Sequence, residues 1–173
     1  MNGVYVVAGL VVVAVTLADA FDTLVSTRIR TGRWWPTDVY YRTTWKLWRR
    51  MCSSIPKLSR REAALSLFGP LSLIGLLVGW TVGQVGGWSL VWWGARQGFS
   101  LDFVAFNDAV YYSGVVYLTI GFGDILPADG ALRLLSPIEA LGGLGTLGLV
   151  IGFLPSLYSG YQDRESQLLR LDD

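Results

Sequence analysis

Two stretches without charge set the limits on what this chain can fold into. From Ala63 to Ala95 no residue carries a formal charge, and from Leu134 to Gln162 only Glu139 does. Each run exceeds the ~20 apolar residues that take a helix across a bilayer. In lipid every backbone polar group needs an internal partner, so such segments fold as helices. A third run, Val4 to Leu17, becomes long enough if it continues past Asp19 to Phe21 or Leu24. A secretory signal would need a basic start and a small-residue cleavage site. Here no Lys or Arg precedes Arg28, so a retained span over 1–27 is expected. The sequence therefore reads as an all-α membrane protein with three transmembrane helices.

The charges say which way those helices run. Ten of the 14 Lys and Arg residues fall between Arg28 and Arg61. The positive-inside rule places that linker, 28–64, in the cytoplasm. The N-terminus is then expected outside, and the C-terminus, with a short tail over 161–173, in the cytoplasm of a multi-pass cell-membrane protein. Within the linker, Tyr41, Trp45, Trp48 and Cys52 share one helical face, while Arg42, Lys46, Arg49 and Arg50 lie mostly on another. A helix over Thr37–Cys52 in the headgroup layer, touching anionic lipids, fits that pattern. It is read either as a passive anchor or as a collar that couples lipid charge to the rest of the protein. Asp19 and Asp22 are expected at the cytoplasmic interface, solvated or paired with Arg28 or Arg30.

The second span, about Leu65–Trp93, carries Gly75, Gly79, Gly83 and Gly87 at four-residue spacing. Such a strip admits close approach of another helix. Gly142, Gly145, Gly148 and Gly152 of the third span are its expected partner, the N-terminal helix the alternative. Trp88, Trp92 and Trp93 mark an outer aromatic belt.

Between these spans lies Thr119-Ile120-Gly121-Phe122-Gly123-Asp124. Glycine tolerates the positive φ angles needed to aim successive carbonyls at one axis. Rings of such carbonyls, with a Thr hydroxyl below them, replace the hydration shell of a potassium ion. Ile120 and Phe122 are expected to point away from the ions. A helix capped by Asn107 or Asp108 and running to about Leu118 would rise about 18 Å, which suits a half-membrane re-entrant element. Its C-terminal dipole end would favour a waiting cation.

Residues 111–127, from Tyr111 through the filter to Pro127, resemble the pore helix and selectivity filter of the potassium channel family, above all its bacterial two-transmembrane pore module. The resemblance covers about 66–160 and does not cover 1–65; the pore domain is placed at 65–160. It implies K+ bound at Thr119, Ile120, Gly121, Phe122 and Gly123, with no organic cofactor, and four chains around one central pore. It also implies filter support from Asp124, Tyr111, Tyr112 and Val115. Phe122 stands where a tyrosine is commoner, Leu118 where many members have a second Thr, and Val115 where some carry a carboxylate. Asp124 must then find another partner, such as a Tyr hydroxyl, or stay solvated. Gly143, 20 residues beyond Gly123, matches the family's hinge glycine, and with Pro155 it is a candidate gate; close packing explains the glycines equally well.

Glu139 follows Pro137 and reads either as a first-turn carboxylate favoured by the helix dipole or as a pH-sensitive group bonded to the back of the pore helix. Cys52 is the sole cysteine and histidine is absent, which argues against zinc sites, disulfides, His-based catalysis and an enzyme of any kind. The expected function is passive, potassium-selective conduction by a homotetramer. The alternatives are a subunit of a potassium-uptake transporter, disfavoured by the single filter motif, and a non-conducting scaffold, which leaves the hexapeptide unexplained. No nucleic-acid partner is expected.

Overall fold

The computed structural model describes residues 2–25, 35–100, 103 and 105–169, with side chains described for all of these except 24, 25, 59, 150 and 153–169. Among the described residues the regular elements are helical. They are α1 (Gly3–Val25), α2 (Pro36–Ser53), α3 (Leu58–Ser66), α4 (Phe68–Gly94), a 3-10 turn (Arg96–Gly98), α5 (Phe106–Tyr117) and α6 (Gly130–Leu169). Gly3–Thr23 and Arg60–Gly94 are each long and apolar enough to cross a membrane. The fold is that of an all-α membrane protein.

Helix α1 lies antiparallel against α4. The Asn2 N–H donates to the Gly94 carbonyl at 2.8 Å at one end. Trp80 Nε1 reaches Asp19 Oδ2 at 2.9 Å further down. Gly83 and Gly87 of the α4 glycine strip serve this contact rather than one with α6. A Cβ at Gly87 would meet Val13 Cγ2 at 2.8 Å and the Gly9 carbonyl at 3.1 Å; one at Gly83 would meet Thr16 Oγ1 at 2.9 Å. Gly75 lies under the Tyr40 hydroxyl of α2. The expected strip-to-strip pairing of α4 with α6 fails because α5 is wedged between them. Ser113 Oγ of α5 lies 3.0 Å from the Val85 carbonyl of α4 and 2.5 Å from Glu139 Oε1 of α6, two acceptors for its one proton.

The tryptophans complete that core. Trp92 is fully buried and Trp88 nearly so, which corrects the expectation of an outer belt for both. Trp92 stacks on Trp88 at 5.7 Å and meets Phe99 and Tyr112 edge-on at 5.8 and 5.3 Å. An aromatic cluster of this kind adds about 0.5–1.5 kcal/mol per pair beyond burial. Trp93 alone keeps an outward position, packed on Phe106 at 6.0 Å and under the Arg96 guanidinium at 4.6 Å.

Helix α2 follows its amphipathic pattern. Pro36 suits a first helical position, where its missing N–H costs nothing. Arg42, Lys46, Arg49 and Arg50 are exposed. The aromatic face docks on protein: Trp45 and Trp48 flank Phe68 at 4.9 and 6.4 Å, and Trp48 Nε1 donates to the Ala64 carbonyl at 3.0 Å. Cys52 is buried at the end of this face.

Asp19 is the largest departure from expectation at this end of the molecule. It is fully buried rather than interfacial. Oδ2 accepts from Thr37 Oγ1 at 2.5 Å and from Trp80 Nε1 at 2.9 Å, and Oδ1 from the Thr37 N–H at 3.4 Å. One carboxylate thus joins α1, the first turn of α2 and α4. Arg28 and Arg30, expected as its partners, lie outside the described residues.

Candidate functional site

The chain leaves α5 through a tight set of main-chain bonds. Leu118 N–H returns to the Gly114 carbonyl at 3.0 Å and Thr119 N–H to Val116 at 3.0 Å. The next two N–H groups, of Ile120 and Gly121, both point at the Val115 carbonyl, at 2.9 and 3.3 Å. Beyond this point φ is positive at Thr119 (57°), Gly121 (66°) and Gly123 (75°), and at no other described residue. Backbone that alternates in handedness turns consecutive N–H groups to one side. Here the Ile120 and Gly121 N–H groups turn onto α5. The two glycines are at home in this conformation. Thr119 is not: a β-branched residue at positive φ costs about 1–3 kcal/mol and persists only where its surroundings impose it. Sequence reading missed this strain, and nothing in the residue type signals it.

The side chains of the expected support group divide. Tyr111 stacks on Phe122 at 6.4 Å, 11° from parallel, and its hydroxyl donates to Asp124 Oδ2 at 2.8 Å. The partner required for Asp124 is therefore the neighbouring tyrosine. Tyr112 turns the other way, into the core, where its hydroxyl pairs with Ser136 Oγ at 2.7 Å. It lines a cavity together with Val115, Pro137 and the 119–123 segment. Val115 acts through its carbonyl. Ile120 and Phe122 remain 50% and 66% exposed.

The cap of α5 differs in register. Ala105 precedes the first turn, and the Asp108 carboxylate reaches back to the Ala105 N–H at 2.9 Å. Asn107 is exposed and takes no part in a described cap bond.

Two clamps hold α5 to its neighbours. Glu139 is fully buried, well inside α6 rather than in its first turn. Its carboxylate accepts from Ser113 Oγ at 2.5 Å and from Trp92 Nε1 at 2.7 Å, so it joins α6, α5 and α4. The first-turn reading fails because α6 starts at Gly130, with Asp129 Oδ1 accepting from the Ala131 N–H at 3.0 Å. Asp-Gly at 129–130 is a helix-start signal that could have been read. The second clamp is Tyr117, the last residue of α5. Its hydroxyl pairs with Thr146 Oγ1 at 2.6 Å, and its carbonyl lies against Gly143 so closely that a Cβ there would overlap it. Close packing alone is enough to require a glycine at 143. Pro155 lies within α6, and its side chain falls outside the described residues.

Comparisons with known proteins agree with this geometry. Residues 75–159, from α4 through the filter into α6, match a family described as an ion channel. The chain is also 28% identical over 170 residues to an uncharacterized membrane protein, YdjJ, of Bacillus subtilis strain 168. That alignment covers 96% of this chain and 48% of the relative, so the chain spans about half the relative's length. No solved structure matches. The segment that holds the 119–124 turn and both clamps is thus similar to an ion-channel domain, within a membrane protein.

Proposed function

We propose that the chain assembles as a homotetramer and conducts potassium passively through a filter built from Thr119, Ile120, Gly121, Phe122 and Gly123. The observation that carries this reading is the alternation of positive φ at 119, 121 and 123 with two consecutive N–H groups turned onto Val115. It frees a row of carbonyls on one side, which is the chemistry a dehydrated cation requires. The apolar exposure of Leu118, Ile120 and Phe122 supports further copies around the axis. Each chain offers one filter strand, and four close a ring of oxygens.

In this reading the filter opens to the outer face and the basic face of α2 lies on the cytoplasmic leaflet, where Arg42, Lys46, Arg49 and Arg50 meet anionic lipid. The amino terminus is then outside. The gate is placed at the cytoplasmic end of α6 around Pro155. Glu139, held between Ser113 and Trp92, is the site through which pH reaches the filter. Tetramers of the full chain reconstituted into vesicles should pass potassium, exclude sodium and be blocked by barium. Equal sodium and potassium flux, or none, removes the proposal. Replacing Glu139 with Gln should flatten the dependence of flux on pH; an unaltered curve removes that role.

A further inference from the structure

The 119–124 segment carries two unlike faces. One belongs to an open cavity of about 670 Å³, walled by Tyr112, Val115, Pro137 and positions 119, 121 and 123, with Arg133 and Ser136 in its polar lining. Leu118, Ile120, Phe122 and Asp124 take no part in those walls. The first three are at least half exposed, and Asp124 is exposed beside them. Tyr111 keeps the last two together, stacked on the Phe122 ring and donating to Asp124 Oδ2 at 2.8 Å. An apolar hollow and an apolar knob therefore occur in one segment, and a single copy cannot fit its knob into its own hollow. The charges match the shapes. Arg133 is exposed and engages only its Nε, with the Pro127 carbonyl at 2.9 Å. Among the described residues its two Nη groups meet no acceptor, and Asp124 Oδ1 meets no donor. A guanidinium with free Nη groups is built to take a carboxylate.

We propose that the cavity receives a second copy of this chain: the Tyr111–Phe122 knob of one copy enters the hollow of the next, and Asp124 of the first pairs with Arg133 of the second. This rests on the tetramer reading and names the contact that builds it. Contact between two different faces is head-to-tail, and such contacts repeat from copy to copy until they close a ring. The two aromatic rings, each able to bury about 150–250 Å², supply the adhesion. An ion pair at an exposed rim adds little tightness; it selects the neighbour and fixes its register. Asp124 is then held from two sides, by its own Tyr111 and by the next copy, so each subunit sets the outer end of its neighbour's 119–124 segment.

The test is cross-linking of the full chain in vesicles, in a Cys52→Ala background. Asp124→Cys and Arg133→Cys are placed in separately tagged copies, expressed together and treated with a short bismaleimide. A mixed dimer joined between positions 124 and 133, read by mass spectrometry, is expected, with no product from either variant alone. A chain carrying both cysteines should give a ladder of covalent oligomers that stops at the tetramer. A second set of variants needs no cysteine. Asp124→Arg or Arg133→Asp alone sets like charges together and should cut the yield of tetramer about tenfold, and the double exchange should restore it. Tetramers that form without the 124–133 link, or a double exchange no better than the single ones, overturn this contact and leave the channel reading standing. A ladder that ends at the dimer, or monomers throughout, overturns both.

Discussion

Substituting Gly143 with Ala tests whether this residue is a packing contact or a hinge. A Cβ built at Gly143 overlaps the Tyr117 carbonyl oxygen and lies 2.8 Å from its carbon, whereas ordinary contact begins at 3.4 Å. Both atoms belong to the main chain of α5, so no rotamer change relieves the clash and the two helices must part. Overpacking costs about 1–3 kcal/mol. Exchanging Gly for Ala in a helix returns about 0.5–1 kcal/mol. With backbone on both sides the upper part of the first range applies, and a net loss of about 2 kcal/mol is expected, close to thirtyfold in an equilibrium constant. The matched control is Gly145→Ala, where no atom lies within 4 Å and only the helix-propensity gain remains. Denaturant unfolding in detergent, followed by tryptophan fluorescence, should therefore move in opposite directions for the two variants. Because Tyr117 leads directly into the proposed filter, Gly143→Ala should also lose the potassium flux expected of it. A variant as stable as the parent, altered only in how often it opens, would refute the packing argument and restore the hinge.

Other perturbations follow from the same contacts. Gly87→Leu forces α1 from α4, where Val13 and Gly9 already touch; it should lower unfolding stability by about 1–3 kcal/mol, while Gly79→Leu, with no atom within 4 Å, should leave it nearly unchanged. Asp19→Ala strands the Thr37 and Trp80 donors, at about 1–3 kcal/mol for a buried group left unpaired. It should speed maleimide labelling of buried Cys52 as α2 loosens, and unchanged labelling would show that α2 is held elsewhere. Thr119→Gly relieves the strained φ of 57° and removes a hydroxyl, so the protein should gain about 1–3 kcal/mol of stability yet conduct less; a loss of stability would contradict the strain.

How much of this was legible depended on whether the signal was local. Helix α2 was expected at Thr37–Cys52 and runs Pro36–Ser53, because periodicity and Pro36 are properties of that segment alone. The pore helix ends one residue from its expected end for the same reason. Partner choice was not local. The glycine strip on α4 announced close approach without naming the helix, and the insertion of α5 decided it. Trp92 looked like a belt residue because aromatic rings mark interfaces; a buried carboxylate within reach of its Nε1 gave it a different place. Asp19 was given a surface reading, and Glu139 either a first-turn reading or one bonded to the back of α5, the contact it makes through Ser113; a lone acid in an apolar run carries no hint of the tryptophan donors that meet each from far along the chain. The filter's alternating handedness was half visible, at its glycines.

The bond between the Asn2 amide and the Gly94 carbonyl has a practical corollary. It sets the amino terminus at the end of α4 that leads into the loop where Gly98 accepts from Ala128 and Asp129. Bulk fused ahead of residue 2 would thus be held near that loop, and under the proposed conduction a removable tag would report how far the ion path lies from it.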